Sequence, residues 1–233
     1  VNLAVRELSA GYGQGQVLHG LDLDLPAGRA LALLGRNGVG KTTLVSTLAG
    51  LLRPTGGRVL LDGRDVTGWR ADRLARAGVA LVPQGRRVWP TLTVHEHLAL
   101  ATRHGGRTWP TGRVYELFPR LAQRRRHLAG QLSGGEQQML VIGRALATDP
   151  RLVLMDEPSE GLAPIVVDQV AEALRVVVRE GLTLLLVEHD LHLALGVTEE
   201  AAVMVRGRIV HRCPTQDLRG DLPTMQRLLG VAA

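Results

Sequence analysis

"GRNGVGKTT", residues 35–43, holds the only lysine among the 28 basic residues of this 233-residue chain. A sequence that uses arginine at every other basic position keeps one lysine between Gly40 and Thr42, which points to a site where arginine cannot stand in. The stretch matches G-x-x-x-x-G-K-[ST] in full, and it follows an apolar run and opens a helical pattern, the context in which that motif carries meaning. Glycines let backbone N–H groups curl around a phosphate without interference from Cβ atoms, and the helix N-terminus adds partial positive charge. Lys41 would then set a compact ammonium on the β- and γ-phosphates while the Thr42 hydroxyl holds Mg²⁺. The arginine fork is longer and planar, and does not fit the same cradle. Gly35, Arg36, Asn37, Gly38, Val39, Gly40, Lys41, Thr42 and Thr43 are therefore the candidate phosphate-binding residues.

Outward from this loop, "RALALLG", "GVALVP", "RLVLMDE" and "LTLLLVEH" are unbroken apolar runs of strand length. Such runs read as central strands buried on both faces, each followed by helix or loop, which predicts a doubly wound α/β fold. "LAVRELSA" and "VLHGLDLDL" alternate apolar and polar residues instead, the pattern of antiparallel strands with one solvated face. Strand signals vanish between Pro83 and Gly130, where "TVHEHLALATRH" and "GRVYELFPRLAQRRRHL" read as helices. Two short strands around "RGR" and a last helix near 222–229 close the pattern. No internal repeat appears.

Bulk properties narrow the class. A 45% hydrophobic share fits a globular chain, and no apolar run reaches the ~18 residues that a membrane-spanning helix requires. The best candidate, "GLTLLLVEHDLHLALGV", is interrupted by Glu188, His189 and Asp190. No secretory signal opens the sequence. One cysteine, Cys213, excludes an internal disulfide and a cysteine-rich zinc site and fits a reducing cytoplasm. The formal net charge of +6 is spread along the chain, and the aromatics number three Trp, two Tyr and one Phe. Base stacking on nucleic acid is poorly supported by so few, and no nucleic-acid partner is expected.

"LVLMDE" at 152–157 is an apolar strand ending in two carboxylates. Asp156 at the strand's carboxyl end is placed to orient Mg²⁺, and Glu157 beside it to polarise an attacking water. Open α/β sheets bind ligands at that end of their strands, which ties the pair to the phosphate loop. "LSGGEQQ" at 132–138 places two glycines after Ser133 at the start of a further helix, a second anion site where one nucleotide needs only one cradle.

With this stretch in place, the chain resembles the ATP-binding cassette (ABC) ATPases from about residue 3 to 230. The resemblance implies a P-loop NTPase fold of the ABC type, a mixed central sheet with an antiparallel β subdomain and a helical subdomain. It divides the chain into a nucleotide-binding core at about 1–83 and 150–233 and a helical part at about 84–149 carrying the signature. ATP and Mg²⁺ are the implied ligands, and Ser133, Gly134 and Gly135 would cap the ATP held by a second subunit. Tyr12 in "SAGYG" matches the aromatic that stacks on adenine. Gln84 matches the glutamine that contacts Mg²⁺ and the attacking water, and His189 the switch histidine at the γ-phosphate. One departure stands out: Ala163 occupies the place of an Asp that couples the two sites in many relatives.

The branch is also suggested. No heptads or zinc ligands separate Lys41 from Ser133, unlike chromosome-maintenance and DNA-repair members. One cassette is present where translation factors carry two, and no regulatory domain is expected after Ala233. "QGRRVWPTLTVHEHL" and "DEPSEGLAPIVV" are similar to the LivF-like ATP-binding subunits of branched-chain amino-acid importers, although that group often has Glu at the place of Gln84 and Gln-Asn at that of His189 and Asp190. The implied partners are two membrane-spanning permease subunits and a second ABC ATPase subunit, identical or related. A solute-binding protein would act indirectly, and the location would be peripheral, on the cytoplasmic face of the membrane. The ATPase of a related urea, amide or other ABC transporter and a soluble non-transport ABC ATPase are the alternatives. Trp89, in a Pro-bounded loop, is expected either to line a groove for a permease helix or to staple the helical insert to the sheet.

Overall fold

The computed structural model describes residues 1–103 and 106–220. Its centre is a six-stranded sheet in the order β10-β9-β3-β8-β7-β6. Its strands are β3 (Ala30–Leu34), β6 (Val79–Val82), β7 (Leu152–Asp156), β8 (Thr183–Glu188), β9 (Glu200–Val205) and β10 (Arg208–Pro214). The ladders from β9 through β3, β8 and β7 to β6 are parallel, and β10 pairs antiparallel with β9. The four apolar runs of the sequence are β3, β6, β7 and β8, and β3, β7 and β8 are buried at every position. Successive side chains of a strand point to opposite faces. Leu184, Leu186, Val153 and Met155 accordingly enter one core, and Leu185, Val187, Leu152 and Leu154 the other.

The second sheet has the order β2-β1-β4-β5, with β1 (Leu3–Tyr12), β2 (Gly15–Leu25), β4 (Gly56–Leu61) and β5 (Arg64–Asp65). β1 pairs antiparallel with β2 and β4. Its buried apolar positions are Leu3 and Val5, then Leu8 and Ala10, so the alternation slips by one residue. The register shifts there, and Glu7 takes a φ of 48°, the signature of a bulge that keeps both apolar pairs facing inward. Between the two sheets lies α1 (Lys41–Leu48), whose Leu44, Val45 and Leu48 share a core with both.

On the opposite face of the central sheet pack α3 (Val94–Thr102), α4 (Thr111–Leu117), α5 (Pro119–Gln123), α6 (Gly134–Leu146) and α7 (Pro164–Arg179), after the short α2 (Ala71–Arg76). α3 starts on a capping box between Thr93 and Glu96, which satisfies backbone donors at its first turn. Where the sequence suggested one helical stretch over 112–128, the structure has two helices broken at Phe118, which takes φ −127° and ψ 78°. Pro119 disfavours the helical conformation of its predecessor and supplies no N–H, so α5 begins anew. Arg124, Arg125 and Arg126 lie beyond α5, in a turn.

The helical segment has no separate core: Leu98, Val114, Phe118, Leu121, Leu140 and Ile142 join Val82, Val153 and Leu186 in one cluster. After β8 follow α8 (Leu191–Val197), the β9–β10 hairpin around Arg206–Gly207, and α9 (Thr215–Gly220). The helix expected near 222–229 lies outside the described residues.

Candidate active site

β3 leads into residues 35–40 and then α1, whose N-cap Gly40 is left-handed with φ 111°. A Cβ there would press on Val17 and Leu18 of β2, and one on Gly35 would stand 2.6 Å from the Met204 carbonyl, so both positions require glycine. The Val39 carbonyl accepts the Gly207 N–H at 2.8 Å, pinning the loop to the β9–β10 hairpin. Arg36, Asn37 and Gly38 face solvent, and Thr43 is buried in α1.

Lys41 folds back under this loop. Its Nζ donates to the carbonyls of Gly35 (2.7 Å) and Arg36 (3.2 Å) and stands 3.3 Å from Glu157 Oε1. Glu157 follows β7 with φ 49°, and its N–H donates to the Val187 carbonyl of β8 at 2.9 Å. Around its second oxygen gather His189 Nδ1 at 3.6 Å and Gln84 Nε2 at 3.4 Å. Gln84, carried by the loop after β6, also donates to Glu160 at 2.9 Å. The ends of β3, β6, β7 and β8 thus deliver Lys41, Gln84, Glu157 and His189 to one point.

Asp156 is buried beside this cluster. Burial pushes its carboxyl above the ordinary range; a hydrogen bond with Thr42 opposes that, Glu157 adds to it, Lys41 opposes it and Glu160 adds to it. Its Oδ1 is buried without a hydrogen-bond partner. An orphaned buried carboxylate oxygen is costly unless something else completes it. With the hydroxyl of Thr42, an exposed residue, alongside, the donors are hard oxygens of the kind that suit Mg²⁺.

The remaining predicted residues lie apart from this point. Ser133 caps α6, accepting the Glu136 N–H at 3.3 Å while its own N–H donates to Glu136 at 2.9 Å. The neighbours of Gly134 and Gly135 are Arg86 and Val166, not the phosphate loop of the same chain. Tyr12 closes β1, 56% exposed, on the strand pair whose Val17 and Leu18 meet Gly40. Ala163 is the N-cap of α7 and offers no side-chain cap.

Two features were missed from sequence. Arg86, held at φ 48°, donates to the carbonyls of Glu160 (2.7 Å) and Gly161 (2.8 Å) and lies against Gly134, bridging three loops. Glu188, wholly buried, accepts hydrogen bonds from Ser159. The signal for the second was an acid ending an apolar strand; for the first there was none beyond its place after Gln84.

Comparison with known proteins bears on the family and the fold. The sequence pattern of the family described as "ABC transporter" matches residues 18–160. The chain is 42% identical over 211 residues to the high-affinity branched-chain amino acid transport ATP-binding protein BraG of Pseudomonas aeruginosa, covering 89% of this chain and 91% of BraG. It is 32% identical over 219 residues to the probable branched-chain amino acid transport ATP-binding protein LivF of Archaeoglobus fulgidus, covering 91% and 92%. A solved structure of an ATP-binding subunit of an ABC transporter superposes with a TM-score of 0.79 at 28% identity, over 96% of this chain and 94% of that one. The chain belongs to the ABC transporter family, and its fold is that of the family's ATP-binding cassettes.

Proposed function

We propose that the chain is the ATP-hydrolysing subunit of an importer for branched-chain amino acids. The observation that carries the ATPase reading is the meeting of Lys41, Gln84 and His189 on the buried Glu157. Lys41 and residues 35–43 bind the phosphates, Tyr12 stacks on the base, and Gln84 and His189 flank the γ-phosphate. The residues that would hold Mg²⁺ are Thr42, Asp156 and Gln84, and the orphaned Asp156 oxygen supports that assignment. The ion would supply charge neutralisation on the phosphates.

Hydrolysis forms a bond from water oxygen to the γ-phosphorus and breaks the bridge to the β-phosphate, releasing ADP. The water proton passes to Glu157, the general base. The lone pair of that carboxylate is engaged by Lys41 in the free chain, so phosphate entering the loop takes over the ammonium and frees the base. Ser133, Gly134 and Gly135, which lie away from their own chain's loop, fit a role toward the ATP of a second cassette, so the working unit is a dimer of identical or related subunits.

Substrate and partners rest on the relatives: BraG and LivF are named for branched-chain amino-acid transport. Among the described residues no helix is long and apolar enough to cross a membrane. By analogy with those relatives the chain would work peripherally, on the cytoplasmic face, beneath two permease subunits, with a solute-binding protein acting on the far side. A groove of about 1440 Å³ is lined by Leu51, Trp69, Trp89, Leu100, Arg103 and Arg144 among others. Trp89 is 52% exposed there, tilted against His97 and covered on one side by Arg144, which favours a docking residue over a buried staple. A cytoplasmic permease helix in this groove would be linked to Gln84 through residues 84–89.

The test is co-expression with candidate permeases. Copurification of polytopic membrane proteins and ATP-driven uptake of leucine, isoleucine and valine into vesicles are expected. Failure of every candidate permease to copurify with an ATPase-active chain, or uptake of other solutes only, overturns the transport or the substrate part.

A further inference from the structure

Glu188 is the last residue of β8, paired with Leu34 at the centre of the sheet and 0% exposed. Among the described residues it forms no ion pair; its charge is met entirely by hydrogen bonds from two loops. Oε1 accepts the Ser159 N–H at 2.9 Å. Oε2 accepts the Ser159 hydroxyl at 2.9 Å and the N–H groups of His189 at 3.1 Å and Asp190 at 3.2 Å.

Those loops are the ones that carry the chemistry. Ser159 stands two residues beyond Glu157, and His189 follows Glu188 directly. Glu157 and His189 approach each other at 3.6 Å across the gap that Glu188 spans from below. Burial raises the Glu188 carboxyl above its ordinary range, and the donors from Ser159, Asp190 and His189 oppose that. A buried carboxylate is a costly way to end a strand unless every lone pair is used, and here four donors from both loops use them. Asp190 continues the link by capping α8 through the Leu193 N–H at 3.0 Å.

We propose that Glu188 is a positioning residue whose carboxylate clamps the loop leaving Glu157 to the loop bearing His189, fixing the two side chains for attack on the nucleotide. The inference rests on the ATPase reading above. It assigns Glu188 no contact with substrate. Glutamine has the same outline but one acceptor, and its NH₂ group faces an N–H or hydroxyl donor that the carboxylate accepted.

The experiment compares the full chain with Glu188→Gln and Ser159→Ala by amide hydrogen exchange without nucleotide, ATP binding, and steady-state ATPase. In Glu188→Gln, exchange at both 157–162 and 188–191 should rise about tenfold, and kcat should fall about tenfold with KM within about threefold. Ser159→Ala should move both readouts the same way by less, and adding it to Glu188→Gln should cost under about twofold more, since the two act as one unit.

Faster exchange in only one loop, or in neither, overturns the clamp whatever the ATPase does. Loosened loops with kcat preserved leave Glu188 a structural acid and overturn the positioning role. Should Glu188→Gln fail to fold, Ser159→Ala decides by the same two criteria. An unaltered chain without ATPase activity would count against the functional proposal, while the exchange data still decide the clamp.

Discussion

Lys41 Nζ and Glu157 Oε1 stand 3.3 Å apart, with side chains only 3% and 9% exposed. The proposed phosphate-binding cation and the proposed base are thus each other's partners in the free chain, beneath a loop whose Gly35 and Arg36 carbonyls take the other ammonium protons. A buried pair of this kind is weak evidence for stability, because desolvation offsets much of the attraction. On the proposed mechanism its value lies in exchange: incoming phosphate would compete with Glu157 for Lys41, making binding and activation of the base one event.

Lys41→Arg should show why lysine is kept. The guanidinium is too long and too flat for the space between Gly35 O and Glu157, so ATP affinity should fall by about 1.4–2.8 kcal/mol, or 10- to 100-fold. Titration with a fluorescent ATP analogue checks this; equal affinity would mean that the loop accepts any cation.

Tyr12→Ala should weaken ATP binding by about 1–3 kcal/mol, in line with base stacking on aromatics. Because stacking tolerates any purine, GTP should lose as much. An unchanged affinity for both would remove Tyr12 from the site.

Asp156→Asn separates stability from function. Burial raises the Asp156 carboxyl, so the folded chain holds that proton to higher pH than the unfolded one, and the ionised form costs folding free energy at neutral pH. The variant should therefore melt higher than the parent at pH 7 without Mg²⁺, with an advantage present above the raised folded pKa and lost as pH falls toward the unfolded value of about 3.9. Mg²⁺-dependent stabilisation by ATP should disappear in the same variant. A lower melting point at pH 7 would contradict the cost assigned to the buried charge.

Trp89→Ala should leave basal ATPase and the melting point near those of the parent while transport by the assembled importer drops, since the ring is half exposed beside the groove. A marked loss of stability would return Trp89 to the role of a staple.

Much of this site was legible in the sequence because it lies on short-range patterns. Gly40, Lys41 and Thr42 are contiguous, and Asp156, Glu157 and His189 stand at the ends of apolar runs of central-strand type. What escaped depends on contacts between loops far apart in the chain. Arg86 meets Glu160, Gly161 and Gly134 through a guanidinium whose direction no local pattern fixes. The break at Phe118 was written in Pro119, but the apolar spacing on either side ran through it and masked it. β4 and β5 were missed because "GGRVLL" opens on two glycines and β5 spans two residues, too little for any periodicity.

On the proposed mechanism Glu157 takes the proton of the attacking water while Lys41 holds the phosphates. Single-turnover hydrolysis of radiolabelled ATP, with binding measured on the same samples, compares the parent with Glu157→Gln most directly. The variant should bind ATP at least as tightly, because the carboxylate that competes for Lys41 is gone, and hydrolyse it more slowly by about 10²- to 10⁴-fold, the usual worth of a general base. Hydrolysis at the parent rate, with ATP bound equally well, would contradict it.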